Sequence, residues 1–529
     1  MLEKIFSRRN FIKMTTAALV LMTTNFSADN VQAAKPCRVR TRQGIYDGFV
    51  DKRGIQTWLG IPYAQPPVKN LRWRAPEKLP PSDKKFNAKK FGFSPMQDID
   101  PVEPASILPQ SEDCLTLNIW RRSDKNNQPV MVFIPGGGFV NGGSGDPIYN
   151  GSNLAASHDV IVVTINYRLN IFGFMNFAAI DSDFDDTGYL GLKDQIAALT
   201  WVKENISEFG GDPDNVTVFG ESAGSISTTL LMVTPAAKGL FQKAIAQSGN
   251  MAFYRVPEHS MELAAKFMEM GGYKNMAELV AKPTAELMKT YNKFISLRPI
   301  STDVDYMPTC DGKFLPAHPF QALKSGAAQG IKLLTGTMED EYLYWAMYFE
   351  GILEDLQDYH SQLTPILYEG EFFLVRELYE TWKKNHTEYS GIHQYLEFAD
   401  QLDWRVGQEL IAEYQSAFDD VYFYLFSQES PDENLGSCHA LDLPFVFNNP
   451  SPGIEPNPSP ELVKQVQAAW CSFAATGNPN NDFIPTWKKY TAADRQTMEI
   501  NSEAWTCHKD LNVDNLTELR GVYEDNLLD

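Results

Sequence analysis

The chain has 529 residues, 43% of them hydrophobic and 12% aromatic, enough to bury a substantial core. Its formal net charge of −21, with a pI near 4.9, gives a surface that repels phosphate backbones and anionic lipid headgroups, which argues against nucleic acid as a partner. Six cysteines scattered without a CxxC pair exclude a small disulfide scaffold.

The N-terminus has a basic start, an apolar stretch from Met14 to about Thr24, and the small-residue ending Val31-Gln32-Ala33. That layout is the signature of a secretory signal peptide. Within it "SRRNFIK" (Ser7–Lys13) resembles the twin-arginine motif, which is read by a transporter of already folded proteins. Residues 1–33 are therefore expected to be an export signal of twin-arginine type, and 34–529 a single catalytic domain, periplasmic or extracellular. Folding in a reducing cytosol before export agrees with the thin distribution of cysteines. The apolar run is well short of a bilayer span, and no later segment reaches one, so no membrane span is expected after signal removal.

Strand-like runs then recur at Val130–Pro135, Val160–Tyr167, Asn215–Gly220, Lys243–Gly249, Ile331–Thr337 and Val421–Phe426. Several are apolar on both faces, as strands covered by helices on both sides must be. Between the second and third, Leu192–Gly210 sets Ile196, Leu199, Val202 and Ile206 on one helical stripe that ends at paired glycines. Alternating β and α implies a mostly parallel, doubly wound sheet. From Pro257 through Tyr424 the pattern turns more helical, which suggests insertions capping the sheet. The Pro- and Asn-rich stretch Asn448–Glu461 reads as a surface loop.

Two glycine-rich corners carry chemistry. After Phe133, "FIPGGGFVNGG" places three successive glycines beyond a strand, so backbone N–H groups stand without side chains in the way, as an oxyanion hole requires. It lacks the Lys-Ser/Thr ending of a phosphate loop. In "VTVFGESAGSIS" (Val216–Ser227) a strand breaks at Gly220, and Ser222 sits between glycines before helically spaced small residues. Such a turn lifts the hydroxyl above the sheet, and the positive end of the following helix faces developing negative charge.

With these corners the sequence resembles the type-B carboxylesterases, the cholinesterase-like branch of the α/β-hydrolases. The resemblance rests on Trp58–Trp73, "SEDCLTLNIW" (Ser111–Trp120), "GGGF" (Gly136–Phe139), Gly191–Ser225, "HALDLPFVF" (His439–Phe447) and "FAATGNPN" (Phe473–Asn480), all in the family's order. It implies the α/β-hydrolase fold: a large, mostly parallel central sheet flanked by helices, with helical insertions over the active site. It implies Ser222 as nucleophile, Glu341 as the acid and His439 as the base, with the N–H groups of Gly137, Gly138 and Ala223 as oxyanion hole. It also implies ion pairs Arg72–Glu112 and Arg168–Asp194 and a supporting hydroxyl at Ser248. The residues narrow the choice in the same direction. In the order Ser–acid–His, five histidines follow Glu341 (His360, His386, His393, His439 and His508), and His439 alone lies in a small-residue loop after a central-type strand. Glu339, Asp340 and Glu341 all lie just beyond a strand end, and the family spacing selects Glu341.

Four departures stand out. Ser94 occupies the place of the family's partner for Cys114, so that disulfide is expected to be absent. The loop between them has no tryptophan to hold a choline ammonium, which makes choline esters poor candidates. Pro135 replaces the usual histidine or tyrosine before the glycine loop, and Tyr342 replaces the glycine after the acid. The expected activity is hydrolysis of small-molecule carboxylic esters through an acyl-enzyme, without cofactor or metal, since there is no HExxH and no clustered Cys/His set. Aromatics in Glu341–Gly351 suggest an apolar pocket for aryl or short-to-medium acyl esters. An adhesion-type member that has lost its nucleophile is argued against by the presence of Ser222, Glu341 and His439. Carbamate, amide or lactone hydrolysis would use the same groups, and no sequence feature specifies an oligomeric state.

Overall fold

The structure, a computed structural model, describes residues 36–98, 108–122, 125–296, 306–348, 372–389 and 391–527. The expected export signal, residues 1–33, lies outside the described residues, as do Phe349–Gly351 of the aromatic stretch.

Thirteen strands form one sheet: β1 (Pro36–Thr41), β2 (Gly44–Val50), β3 (Gln56–Pro62), β4 (Lys85–Asn87), β5 (Thr116–Arg121), β6 (Gln128–Ile134), β7 (Ile161–Ile165), β8 (Gly211–Glu221), β9 (Lys243–Gln247), β10 (Lys332–Met338), β11 (Val421–Phe426), β12 (Gln496–Ile500) and β13 (Trp505–Lys509). Their order is β1-β2-β3-β5-β7-β6-β8-β9-β10-β11-β12-β13, with the short β4 off this path, paired to Ile45–Asp47 of β2 on the side away from β1. From β7 to β12 every neighbouring pair is parallel. Strands β1, β2, β3 and β5 on one flank and β13 on the other are joined antiparallel. This is the expected α/β sheet, and all six strand-like runs are its parallel centre, β6 to β11. The antiparallel edge strand β1 was not expected, because its exposed Arg38 and Arg40 break up any apolar run.

The alternation of side chains along each strand builds two cores, one per face. In β6, Val130, Val132 and Ile134 enter the layer under the helices Leu190–Asn205, Ala223–Val233 and Val406–Ser416. Met131 and Phe133 enter the opposite layer, under Ser152–Ser157, Leu443–Phe447 and Pro460–Thr476. The expected helix at 192–210 runs Leu190–Asn205, then tightens to a 3-10 turn, Ile206–Phe209, that stops at Gly210 in the left-handed region (φ 84°). The expected loop at 448–461 is a turn closed by a Ser451–Glu455 bridge, and its last two residues already begin the helix at Pro460.

The expected insertions in the helical stretch from Pro257 are two. Pro257–Gly271, Met276–Ala281, Thr284–Ser296 and Pro319–Lys324 separate β9 from β10. Leu343–Tyr348, Phe372–Asn385, Gly391–Ala399 and a π-helical turn, Asp400–Arg405, precede Val406–Ser416 and β11. Among the described residues these insertions add no strand to the sheet. Both expected ion pairs form as buried bidentate contacts: Arg72 to Glu112 at 2.6 and 2.7 Å, and Arg168 to Asp194 at 2.7 and 2.8 Å. Cys114 is a buried thiol outside any disulfide; Ser94, in the place of its expected partner, instead bridges Gln110 through its backbone.

Candidate active site

The parallel strands deliver their C-terminal ends to one edge of the sheet, and the expected site residues lie there. β8 ends at Glu221, and Ser222 follows as a strained corner with φ 57° and ψ −126° before the helix Ala223–Val233. The strain sits on the serine itself. The flanking glycines serve close approach instead: a Cβ on Gly220 would lie 2.4 Å from the Gly224 backbone, and one on Gly224 would lie 2.0 Å from the Ile134 carbonyl oxygen. The turn is fixed by Ser222 N–H donating to the Gln247 carbonyl (3.0 Å) and Ile226 N–H donating to the Ser222 carbonyl (2.9 Å). The Ser222 side chain is part-buried and makes no hydrogen bond among the described residues.

The glycine loop after β6 wraps onto this corner. A Cβ on Gly136 would touch Glu221 at 2.8 Å and Ser222 Cβ at 3.0 Å. Gly137 and Gly138 take φ 105° and 57°, a conformation that side chains disfavour. The loop is pinned from outside: Gln97 exchanges two hydrogen bonds with Gly142, both 2.9 Å, and the Tyr167 hydroxyl donates to the Pro135 carbonyl (2.8 Å). Pro135 thus takes the histidine or tyrosine position without opening the loop. Among the described residues, the N–H groups of Gly137, Gly138 and Ala223 donate to no backbone carbonyl.

Glu341 and His439 come from the ends of β10 and β11. His439 Nδ1 lies 2.5 Å from Oε2 of Glu341, whose other oxygen accepts from the Met338 amide at 2.9 Å. The segments are stitched together beside this contact: Asp340 N–H donates to the Ser437 carbonyl (3.0 Å), and Ser437 N–H returns a bond to Asp340 Oδ2 (2.9 Å). Of the neighbouring acids, Glu339 is exposed and Asp340 is spent on Ser437; neither hydrogen-bonds the imidazole. Nε2 of His439 lies 3.0 Å from Oε1 of Glu221, at an angle that makes no hydrogen bond. Nε2 is therefore not bonded to Ser222 in this arrangement. Burial pulls the imidazole toward neutrality, but Glu221 and Glu341 outweigh it and raise its pKa to about 10. Burial raises Glu221 as well, against the pull of His439.

Ser248 is fully buried with φ 50°, its N–H on the Gly336 carbonyl at 2.9 Å and its hydroxyl without a partner. It sits beside the site without touching Glu341 or His439 through a hydrogen bond. Among the described residues no group of three His, Cys, Asp or Glu could hold a metal ion, and no helix is long and apolar enough to cross a membrane.

Several neighbours of the imidazole were not foreseen. Trp345 and Trp404 lie against its ring at centroid distances of 4.7 and 4.8 Å. Tyr342 donates its amide to Asp400 (2.8 Å) and its hydroxyl to Asp403 (2.5 Å). Glu221 was visible inside the serine motif as the variable residue before Ser222, and Trp345 in the aromatic stretch after Glu341. Asp400, Asp403 and Trp404 carry no local signal, since the π-helical turn brings them in from a distant insertion.

A sequence model of the carboxylesterase family matches residues 35–517. The para-nitrobenzyl esterase of Bacillus subtilis (strain 168) is 38% identical over 483 residues, covering 88% of this chain and 95% of that protein. A mouse cholinesterase is 29% identical, covering 85% and 80% of the two chains. Among solved structures, the carboxylesterase of Geobacillus stearothermophilus superposes with a TM-score of 0.78 at 34% identity, over 91% of this chain and 99% of that one.

Proposed function

The chain belongs to the carboxylesterase family and is a carboxylic ester hydrolase, and from that premise we propose that Ser222, His439 and Glu341 carry its reaction. The observation that supports this most is the 2.5 Å contact of Glu341 with His439 Nδ1, made at the strand ends that also hold the serine corner. Neutral His439 takes the Ser222 proton on Nε2 after a small ring movement away from Glu221. The serine oxygen attacks the ester carbonyl, and the N–H groups of Gly137, Gly138 and Ala223 hold the oxyanion. Glu341 stabilises the imidazolium that forms. The imidazolium returns its proton to the leaving alcohol as the C–O bond breaks, leaving an acyl-serine. Water, deprotonated by His439, then releases the acid and restores the serine. Ser248 supports the site through its backbone contact with β10.

The aromatic surface of Trp345 and Trp404 beside His439, and the similarity to a para-nitrobenzyl esterase, favour uncharged aryl or short-to-medium acyl esters over choline esters. The assignment of the acid is tested by comparing three variants on one activated aryl ester. Glu341→Gln keeps size and loses charge, so turnover falls by up to about 10⁴-fold. Glu339→Gln costs little, because its side chain faces solvent. Asp340→Asn has an intermediate effect through Ser437. A near-normal Glu341→Gln enzyme beside an inactive Glu339→Gln enzyme would overturn the assignment.

The sequence of residues 1–33 supports export by the twin-arginine route to the periplasm or beyond. A single catalytic domain over 34–529 is supported by β1 and β13, which lie at opposite flanks of one sheet. Replacing Arg8 and Arg9 together with lysine is expected to hold the precursor in the cytosol, because lysine does not reproduce the planar guanidinium donors; unchanged export would point to the general secretory route.

A further inference from the structure

Tyr342 directly follows the proposed acid, and the structure gives it two partners on one distant turn. Its amide donates to Asp400 Oδ1 at 2.8 Å and its hydroxyl donates to Asp403 Oδ2 at 2.5 Å. Tyr342 and both aspartates are buried. The turn that holds them, Asp400–Arg405, is π-helical, a geometry that widens the helix and is often kept where side chains must be re-aimed. The next residue along it, Trp404, lays its ring against the His439 imidazole at 4.8 Å and against Trp345 at 5.8 Å. Tyr342 also packs edge-on to Trp404, at 6.3 Å.

These contacts close a circuit: Glu341 holds His439 by a hydrogen bond, His439 meets Trp404 by ring contact, Trp404 is bonded in sequence to Asp403, and Asp403 accepts from the neighbour of Glu341. We infer that Tyr342 is a positioning residue, whose hydroxyl bond to Asp403 fixes the acid and the aromatic wall of the base in one arrangement. A glycine at 342 could keep the amide bond to Asp400 but would release the wall from the acid. The inference rests on Glu341 and His439 being the acid and base proposed above.

The test is Tyr342→Phe, which keeps the ring and removes only the hydroxyl, measured beside Glu341→Gln. Active sites are counted with a fluorophosphonate, so that unfolded enzyme does not enter the rate. In Tyr342→Phe, kcat per titrated site is expected to fall about tenfold and KM to change less than about twofold, with no further loss when Asp403→Leu is added. A looser Glu341 also stabilises the imidazolium less. Among the described residues the charged groups acting on His439 are Glu221 and Glu341, and only the second is loosened, so the rise of kcat/KM with pH moves to lower pH. Tyr342→Phe with wild-type kcat and an unmoved pH profile, beside an inactive Glu341→Gln, overturns the positioning role and leaves the acid in place. Independent, additive losses from Tyr342→Phe and Asp403→Leu overturn it too. An active Glu341→Gln overturns the acid assignment itself.

Discussion

The two halves of the candidate site are built by different means. The nucleophile side, from the glycine loop to the helix after Ser222, is backbone packed on backbone: Gly220 and Gly224 admit main-chain approaches that no Cβ would allow, and Ser222 carries the strain. The base side is side chains recruited across the chain: Glu341 to His439, Asp340 to Ser437, and Tyr342 to Asp400 and Asp403. The first arrangement is encoded within a dozen residues and is intolerant of added volume. The second is encoded over the whole second half of the chain and is sensitive to charge.

The sharpest contrast comes from the proposed nucleophile. Ser222→Ala removes a part-buried hydroxyl that bonds to nothing among the described residues, so turnover should drop by about 10⁶-fold with no loss of thermal stability. A purified variant retaining a tenth of the rate would separate the serine from the chemistry. On the same side Gly224→Ala should be a folding lesion first, costing about 1–3 kcal/mol or more in chemical denaturation, because its Cβ would meet the Ile134 carbonyl at 2.0 Å with only backbone to move. A stable Gly224→Ala protein would mean that the loop and the elbow are less closely packed than the contact implies.

The smallest effect belongs to charge on the base side. Glu221 faces His439 Nε2 at 3.0 Å and helps raise the imidazole to about 10, which favours the protonated, inactive form of a base. Glu221→Gln removes that charge, the imidazole loses its proton at lower pH, and the rise of kcat/KM with pH shifts downward, by about one pH unit. A pH profile that stays in place or moves upward would show that the Glu221 carboxylate does not act on the working base.

The same division explains what was legible in the sequence. The six central strands announce themselves by apolar runs, and the corner at Ser222 by glycines whose spacing the packing demands. Gly137 and Gly138 were equally visible, since their positive φ leaves few alternatives. The choice of Glu341 among three adjacent acids needed a family resemblance, because only tertiary structure turns Glu339 to solvent and Asp340 to Ser437. Trp404 and its neighbouring aspartates were beyond reach: nothing in "DQLDWR" marks a turn that will lie against a histidine loop. The antiparallel edge strand β1 was also missed, where exposed arginines interrupt the hydrophobic pattern that marks a covered strand.

The proposal that Ser222 is driven by a Glu341–His439 pair assembled from the other half of the site is tested most directly by covalent labelling. A fluorophosphonate loses fluoride when an activated serine oxygen bonds to its phosphorus, and intact-mass and peptide analysis read where the adduct lies. One adduct per chain is expected, on the peptide carrying Ser222, formed rapidly in the wild-type enzyme and far more slowly in Glu341→Gln. An adduct on another residue, or labelling of Ser222 at the wild-type rate in Glu341→Gln, would contradict it.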